Sequence, residues 1–226
     1  QARVDVAALV NADAADVIFT SGGTEANNVA LGGSGRTRRL ISAIEHPSVL
    51  AGGGEILPVD TNGIIDLDRL EERLLADNTP ALVSVMLANN ETGVIEPIED
   101  VVAIAHRHGA LVHCDAIQAA GKIAVDVVAL GVDMMSLSAH KIGGPSGAGA
   151  LIVPDLGTAT GTSLSGQLFG GGQERGYRVG TENLTGIAGF GAAAAVALAG
   201  LEDFTRVAGL RDAIEQGVKG IDHRAT

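Results

Sequence analysis

A chain of 226 residues with 46% hydrophobic but only 2% aromatic side chains can bury one sizeable core of Ala, Val, Leu and Ile, the composition of a globular α/β domain. Its formal charge of −12, with no basic cluster beyond Arg36, Arg38 and Arg39, excludes an electrostatic footprint for nucleic acid. One cysteine excludes an internal disulfide framework, and the lack of a spanning apolar run or a signal-like N-terminus leads to the expectation of a soluble, cytoplasmic chain with no membrane partner.

In chain order, β-rich runs at 17–20, 39–44, 55–59, 81–87, 110–114, 133–138 and 149–153 alternate with helical patterns, which predicts a mostly parallel sheet covered by helices. Asp66 reads as the N-cap of a helix over 66–76 that carries Leu67, Leu70 and Leu74 at helical spacing. Pro97 opens another over 98–108 at a favoured first-turn position. The glycines of 143–149 predict a tight strand connection. From Leu184 the pattern is continuously helical through Gly200, and a second helical segment runs from Leu201 to Gly220, a long helix leading out of the domain.

Polar groups recur where the strands end, the edge at which open α/β sheets bind ligands. Strand 17–20 runs into Ser21-Gly22-Gly23-Thr24, where glycine lets backbone approach a ligand and a following helix N-terminus attracts phosphate; the alternative is that Thr24 merely caps that helix. His46 follows the next strand and is suited to stacking on a planar ring and moving protons, or is a plain loop residue before Pro47. Asn89 and Asn90 follow strand 81–87, where the alternative is an Asx turn.

Asp115 stands at the tip of strand 110–114, with Gln118 three residues on. Lys141, at the end of the apolar run 133–138, is expected to be partly desolvated and able to form a Schiff base. Ser138 and His140 beside it offer phosphate donors. An amine for an aldehyde and an anion for a ring nitrogen together suggest pyridoxal 5′-phosphate (PLP), whose protonated ring is an electron sink. Metal binding is the competing use of the histidines. His106 and His108 sit two apart at a helix end, and His113-Cys114-Asp115 alternates across a strand, so neither makes a zinc spacing.

Phe19-Thr-Ser-Gly-Gly-Thr-Glu25, Glu45-His46, Asn89-Asn-Glu-Thr-Gly93, His113-Cys-Asp-Ala-Ile-Gln118, Ser138-Ala-His-Lys-Ile-Gly-Gly-Pro145, Gly170-Gly-Gly-Gln-Glu-Arg-Gly176 and Arg178-Val-Gly-Thr181 resemble, in order, the motifs of the NifS-like cysteine desulfurases. The resemblance implies the large domain of a fold-type I PLP-dependent transferase over 1–199. A helix over 200–226 would lead toward an incomplete small domain. It implies a homodimer with a catalytic Lys141 that carries the cofactor and a catalytic His46 that stacks on the ring. Asp115 would sit at the ring nitrogen, Gln118 and Asn90 at the ring hydroxyl, Gly23, Thr24, Ser138 and His140 around the phosphate, and Thr181 at the phosphate of a neighbouring subunit.

The implied reaction converts L-cysteine to L-alanine and passes sulfur as a persulfide to an acceptor protein, in support of pathways such as iron–sulfur cluster assembly. A selenocysteine lyase or aminotransferase of the same fold, or an inactive fragment serving as a scaffold, are the alternatives. The resemblance also places the nucleophilic cysteine and a carboxylate-clamping arginine beyond Thr226, so the chain as written is expected to bind PLP without forming a persulfide on itself. Cys114 is a poor substitute, because neighbouring strand residues face opposite ways. The stretch 50–55 leaves no room for the family's helix after His46, Gly32-Gly33-Ser34-Gly35 looks shortened, and Phe169 stands where many relatives carry a histidine.

Overall fold

Seven strands form one sheet in the order β1-β7-β6-β5-β4-β2-β3, in a computed structural model that describes residues 1–159 and 161–222. They are β1 (Val17–Thr20), β2 (Arg38–Ser42), β3 (Glu55–Leu57), β4 (Ala81–Met86), β5 (Leu111–Asp115), β6 (Met134–Ser138) and β7 (Gly149–Ile152). Only β7 runs antiparallel to its neighbours; every other pair is parallel. The tight connection over 143–149 has this consequence, because two strands joined by a short turn pair antiparallel whereas parallel strands need a crossover.

The helices are α1 (Ala2–Ala8), α2 (Gly23–Gly33), α3 (Pro47–Leu50), α4 (Leu67–Ala76), α5 (Ile98–Arg107), α6 (Val127–Leu130), α7 (Leu184–Ala199), α8 (Leu201–Phe204) and α9 (Val207–Ile221). Side chains alternate across a strand, so each central strand feeds two cores. Leu82 and Met134 pack with Ala26, Val29 and Leu31 of α2. Val83, Val112, Cys114 and Leu137 pack on the other face with Val6 of α1, Val101 of α5 and Phe190 of α7. Burial on both faces explains why β4 reads as a continuous apolar run.

β1 lies at the sheet edge, where unpaired backbone groups would template aggregation. The segment 173–178 covers it. Glu174 accepts the Phe19 N–H at 3.0 Å and pairs with Arg3, while Arg175 donates to the carbonyls of Ala15 and Val17. Next to it, Gly149 of β7 lies so close to Gly22 that an added Cβ would come within 2.5 Å of the Gly22 carbonyl carbon.

Several expectations shift at element ends. The run at 39–44 stops at Ser42, where the chain turns toward α3, a single turn of four residues ahead of β3, and the run at 55–59 stops at Leu57. Asp66 caps α4 through the Arg69 N–H as expected, whereas Pro97 is the N-cap of α5 and not a residue of its first turn. The C-terminal helical pattern is broken near Gly200 and again at Thr205, and Leu184–Ala199 makes a 68° bend with Leu201–Ile221. α9 buries none of its residues, with Val207, Leu210, Ile214 and Val218 exposed on it. Residues 223–226, the end of the expected exit helix, lie outside the described residues. Among the described residues no single helix is long and apolar enough to cross a membrane.

Candidate active site

The carboxyl ends of β1, β2, β4, β5 and β6 meet at one rim, and a cleft of about 480 Å³ opens there. Gly23, Thr24, His46, Asn90, Asp115, Gln118, Ser138, His140 and Lys141 all line it. Thr181 does not; it borders a smaller neighbouring recess with Arg178 and Asn183.

One wall is the start of α2. An added Cβ at Gly23 would meet Ile117 Cδ1 at 2.1 Å, so with glycine there the helix begins against the loop after β5 without displacing that side chain. Thr24 is not a cap, contrary to the alternative reading: Gly22 occupies the N-cap and no side chain caps the helix. The first turn therefore keeps its N–H groups for a ligand, and the helix dipole favours an anion there. Ser138 Oγ and His140 Nδ1 lie 3.0 Å apart on the facing wall.

Asp115 closes the central strand β5 and is only 3% exposed. Its Oδ2 accepts from Asn27 Nδ2 at 2.8 Å and its Oδ1 from the Ile117 N–H at 3.0 Å. Burial raises its pKa above the usual aspartate value, opposed by those two donors and by His46. Beneath it on the same face, the ring nitrogens of His113 meet Ser84 Oγ and Ser136 Oγ, each at 2.9 Å. Burial lowers the His113 pKa to about 3, so it stays neutral.

Glu45, 4% exposed, bonds one oxygen to the Met86 N–H and leaves Oε2 without a partner. Burial, then the nearby Asp115 and Glu96 carboxylates, push its pKa well up, which favours the neutral acid. Cys114 is sealed on the opposite face of β5, in the core with α5 and α7, as strand alternation requires. Burial and the charges of Asp115 and Glu45 push its thiol pKa well up, away from the thiolate that does chemistry.

Lys141 corrects one expectation. It is exposed, on the short turn Ala139–Ile142 whose first residue, Ala139, is buried. Gln118 is better defined: Lys122 Nζ donates to its backbone oxygen at 2.9 Å and to its Oε1 at 3.3 Å, which leaves the side-chain NH2 free to donate into the cleft. The two asparagines after β4 divide the roles considered for them. Asn89 Oδ1 accepts the N–H groups of Glu91 and Thr92 in an Asx turn, and Asn90 lines the cleft. His106 and His108 go to different carboxylates, Asp133 and Glu71.

The sequence reading missed Asn27, Glu45 and Ser48. A signal for Asn27 was available, since Gly23, Ala26, Asn27 and Ala30 share one helix face, the face buried on the sheet.

The mostly parallel seven-stranded sheet with its flanking helices matches the fold of solved NifS-like proteins. The X-ray structure of a NifS-like protein from Rickettsia africae superposes with a TM-score of 0.89 at 35% identity, over 97% of this chain and 62% of that one. A second solved NifS-like protein gives 0.88 at 36% identity, over 98% of this chain and 64% of that one. The chain belongs to the class V aminotransferase family, whose model matches residues 1–223. Among curated relatives, a cysteine desulfurase IscS of Anaeromyxobacter sp. is 43% identical over 98% of this chain, and a cysteine desulfurase of Gluconacetobacter diazotrophicus is 43% identical over 90%. The chain spans 58% and 53% of their respective lengths.

Proposed function

We propose that this chain is the cofactor-binding body of a PLP-dependent cysteine desulfurase, which converts L-cysteine to L-alanine and hands the sulfur to a thiol as a persulfide. The observation that carries the reading is that Lys141 and Asp115 line one cleft together with the uncapped first turn of α2. The names of the relatives support the choice of substrate.

The donor set fits the cofactor. Lys141 Nζ would bind the aldehyde covalently, Asp115 would face the ring nitrogen, and the Gln118 NH2 and Asn90 would serve the ring hydroxyl. The α2 first turn with Thr24, Ser138 and His140 would hold the phosphate. When bound, PLP supplies an electron-accepting ring that stabilises negative charge on the substrate Cα. Lys141 would take the Cα proton, and His46 would hold or return one. The acceptor thiol is one other than Cys114, which is sealed away on the far face. A second copy of the chain would cover the exposed side of Lys141, and Thr181, outside its own cleft, would serve the cleft of that copy.

Incubation with PLP followed by borohydride reduction and peptide mass mapping tests the cofactor site: the adduct is expected on Lys141 and lost in Lys141→Ala. Alanine release from L-cysteine with dithiothreitol, against L-selenocysteine as competitor, then tests the substrate. An adduct on another lysine, or alanine production undiminished by Lys141→Ala, would overturn the reading.

A further inference from the structure

Asp115 and His46 reach the cleft from different strands, yet one amide and one hydroxyl tie them together. Asn27, fully buried on α2, donates Nδ2 to Asp115 Oδ2 at 2.8 Å and to Ser48 Oγ at 2.9 Å. Ser48 Oγ in turn lies 2.7 Å from His46 Nδ1, and the Ser48 backbone N–H reaches the same nitrogen at 3.1 Å.

The direction of every bond follows from what each group can do. A backbone N–H only donates, so His46 Nδ1 is an acceptor and carries no proton. An ionised carboxylate only accepts, which sets the Asn27 NH2 toward Asp115. That NH2 also donates to Ser48 Oγ, so Ser48 directs its single proton to His46 Nδ1. The imidazole hydrogen then sits on Nε2, the nitrogen remote from Ser48.

Asn27 Oδ1, by contrast, is buried without a partner. Such an orphaned acceptor is destabilising, and an apolar residue in the same place would avoid it. The amide is therefore best accounted for by its two donors. The same donors oppose the burial that disfavours Asp115 ionisation.

We propose that Asn27 and Ser48 are positioning residues that act together, holding Asp115 by one oxygen and locking His46 in its Nε2–H form. The assignment deepens the proposed function, in which Asp115 and His46 flank the cofactor ring, and its test is separable from that reading.

The experiment is long-range 1H–15N correlation of the histidine rings in 15N-histidine-labelled protein, with the His46 signals assigned by their loss in His46→Gln. The wild-type protein is expected to show Nε2 protonated and Nδ1 bare. Ser48→Ala, at a half-buried surface turn, is expected to lower the tautomer preference by about three- to tenfold, the worth of one hydrogen bond, and Ser48→Thr to restore it. In Asn27→Ala the Asp115 carboxyl, followed by 13C shifts, is expected to titrate at higher pH than in wild type. A His46 proton on Nδ1, or a tautomer ratio unmoved by Ser48→Ala, overturns the proposal whether or not Lys141 traps PLP. An Nε2–H ring that responds to Ser48→Ala supports it even where trapping on Lys141 fails, an outcome that overturns only the proposed function.

Discussion

Replacing Glu45 with glutamine removes one titrating proton from beneath the cleft while keeping an oxygen for the Met86 N–H. In the fold, burial and the neighbouring carboxylates raise the Glu45 pKa well above the unfolded value of about 4.3. Between those two values the folded chain holds the proton and the unfolded chain has lost it, so wild-type stability falls as pH rises through the window. Full retention of one proton gives a slope of about 1.4 kcal/mol per pH unit. Each pH unit inside that window would cost the wild type up to about 1.4 kcal/mol that the neutral glutamine does not lose. Urea unfolding of both proteins at stepped pH reads this directly as a stability difference that favours Glu45→Gln and widens with pH. The other raised carboxyls, Asp16, Glu96 and Asp115, act on both proteins and largely cancel in the difference. Parallel pH profiles for the two proteins would falsify the reasoning.

Three further outcomes are expected. Glu174→Ala strips the Phe19 N–H and Arg3 of their shared partner, and because the Arg3 side chain is 35% exposed and can rehydrate, the cost is about 2–4 kcal/mol, read as a lower thermal midpoint; a change under about 0.5 kcal/mol would contradict the edge-guarding role. Gly149→Ala drives a methyl into the backbone of Gly22 and costs about 1–3 kcal/mol, while the same change at exposed Gly209 costs nothing comparable; equal midpoints would refute the contact. PLP affinity, followed by its visible absorbance, should fall as pH drops through the raised Asp115 value, above the ordinary aspartate range, and Asp115→Asn should weaken binding and remove that step; a step that persists in Asp115→Asn belongs to another group.

The strands were legible because a sheet buried on both faces writes itself as apolar runs: β4 and β6 are buried along their whole length and were recognised within a residue or so. Lys141 and Asp115 could be paired from sequence because each closes such a run, so their positions at the rim follow from the strands alone. The helix face shows that Asn27 is buried, but not that it joins Ser48 and Asp115, nor that Glu45 meets Met86: those partners lie 21 to 88 residues away, and no local pattern encodes a bond of that reach. The exposure of Lys141 was misjudged for a related reason. An apolar strand buries its own residues, but in the turn that follows burial changes from one residue to the next, with Ala139 buried and His140 and Lys141 exposed.

The lone thiol offers a stopwatch. Cys114 lies under two helices at the centre of the sheet, so a maleimide added to the intact protein has nothing to modify until the strand it sits on is released. The pace of labelling therefore records how often the whole assembly comes apart, with no probe to be engineered and no second sulfhydryl to confuse the trace.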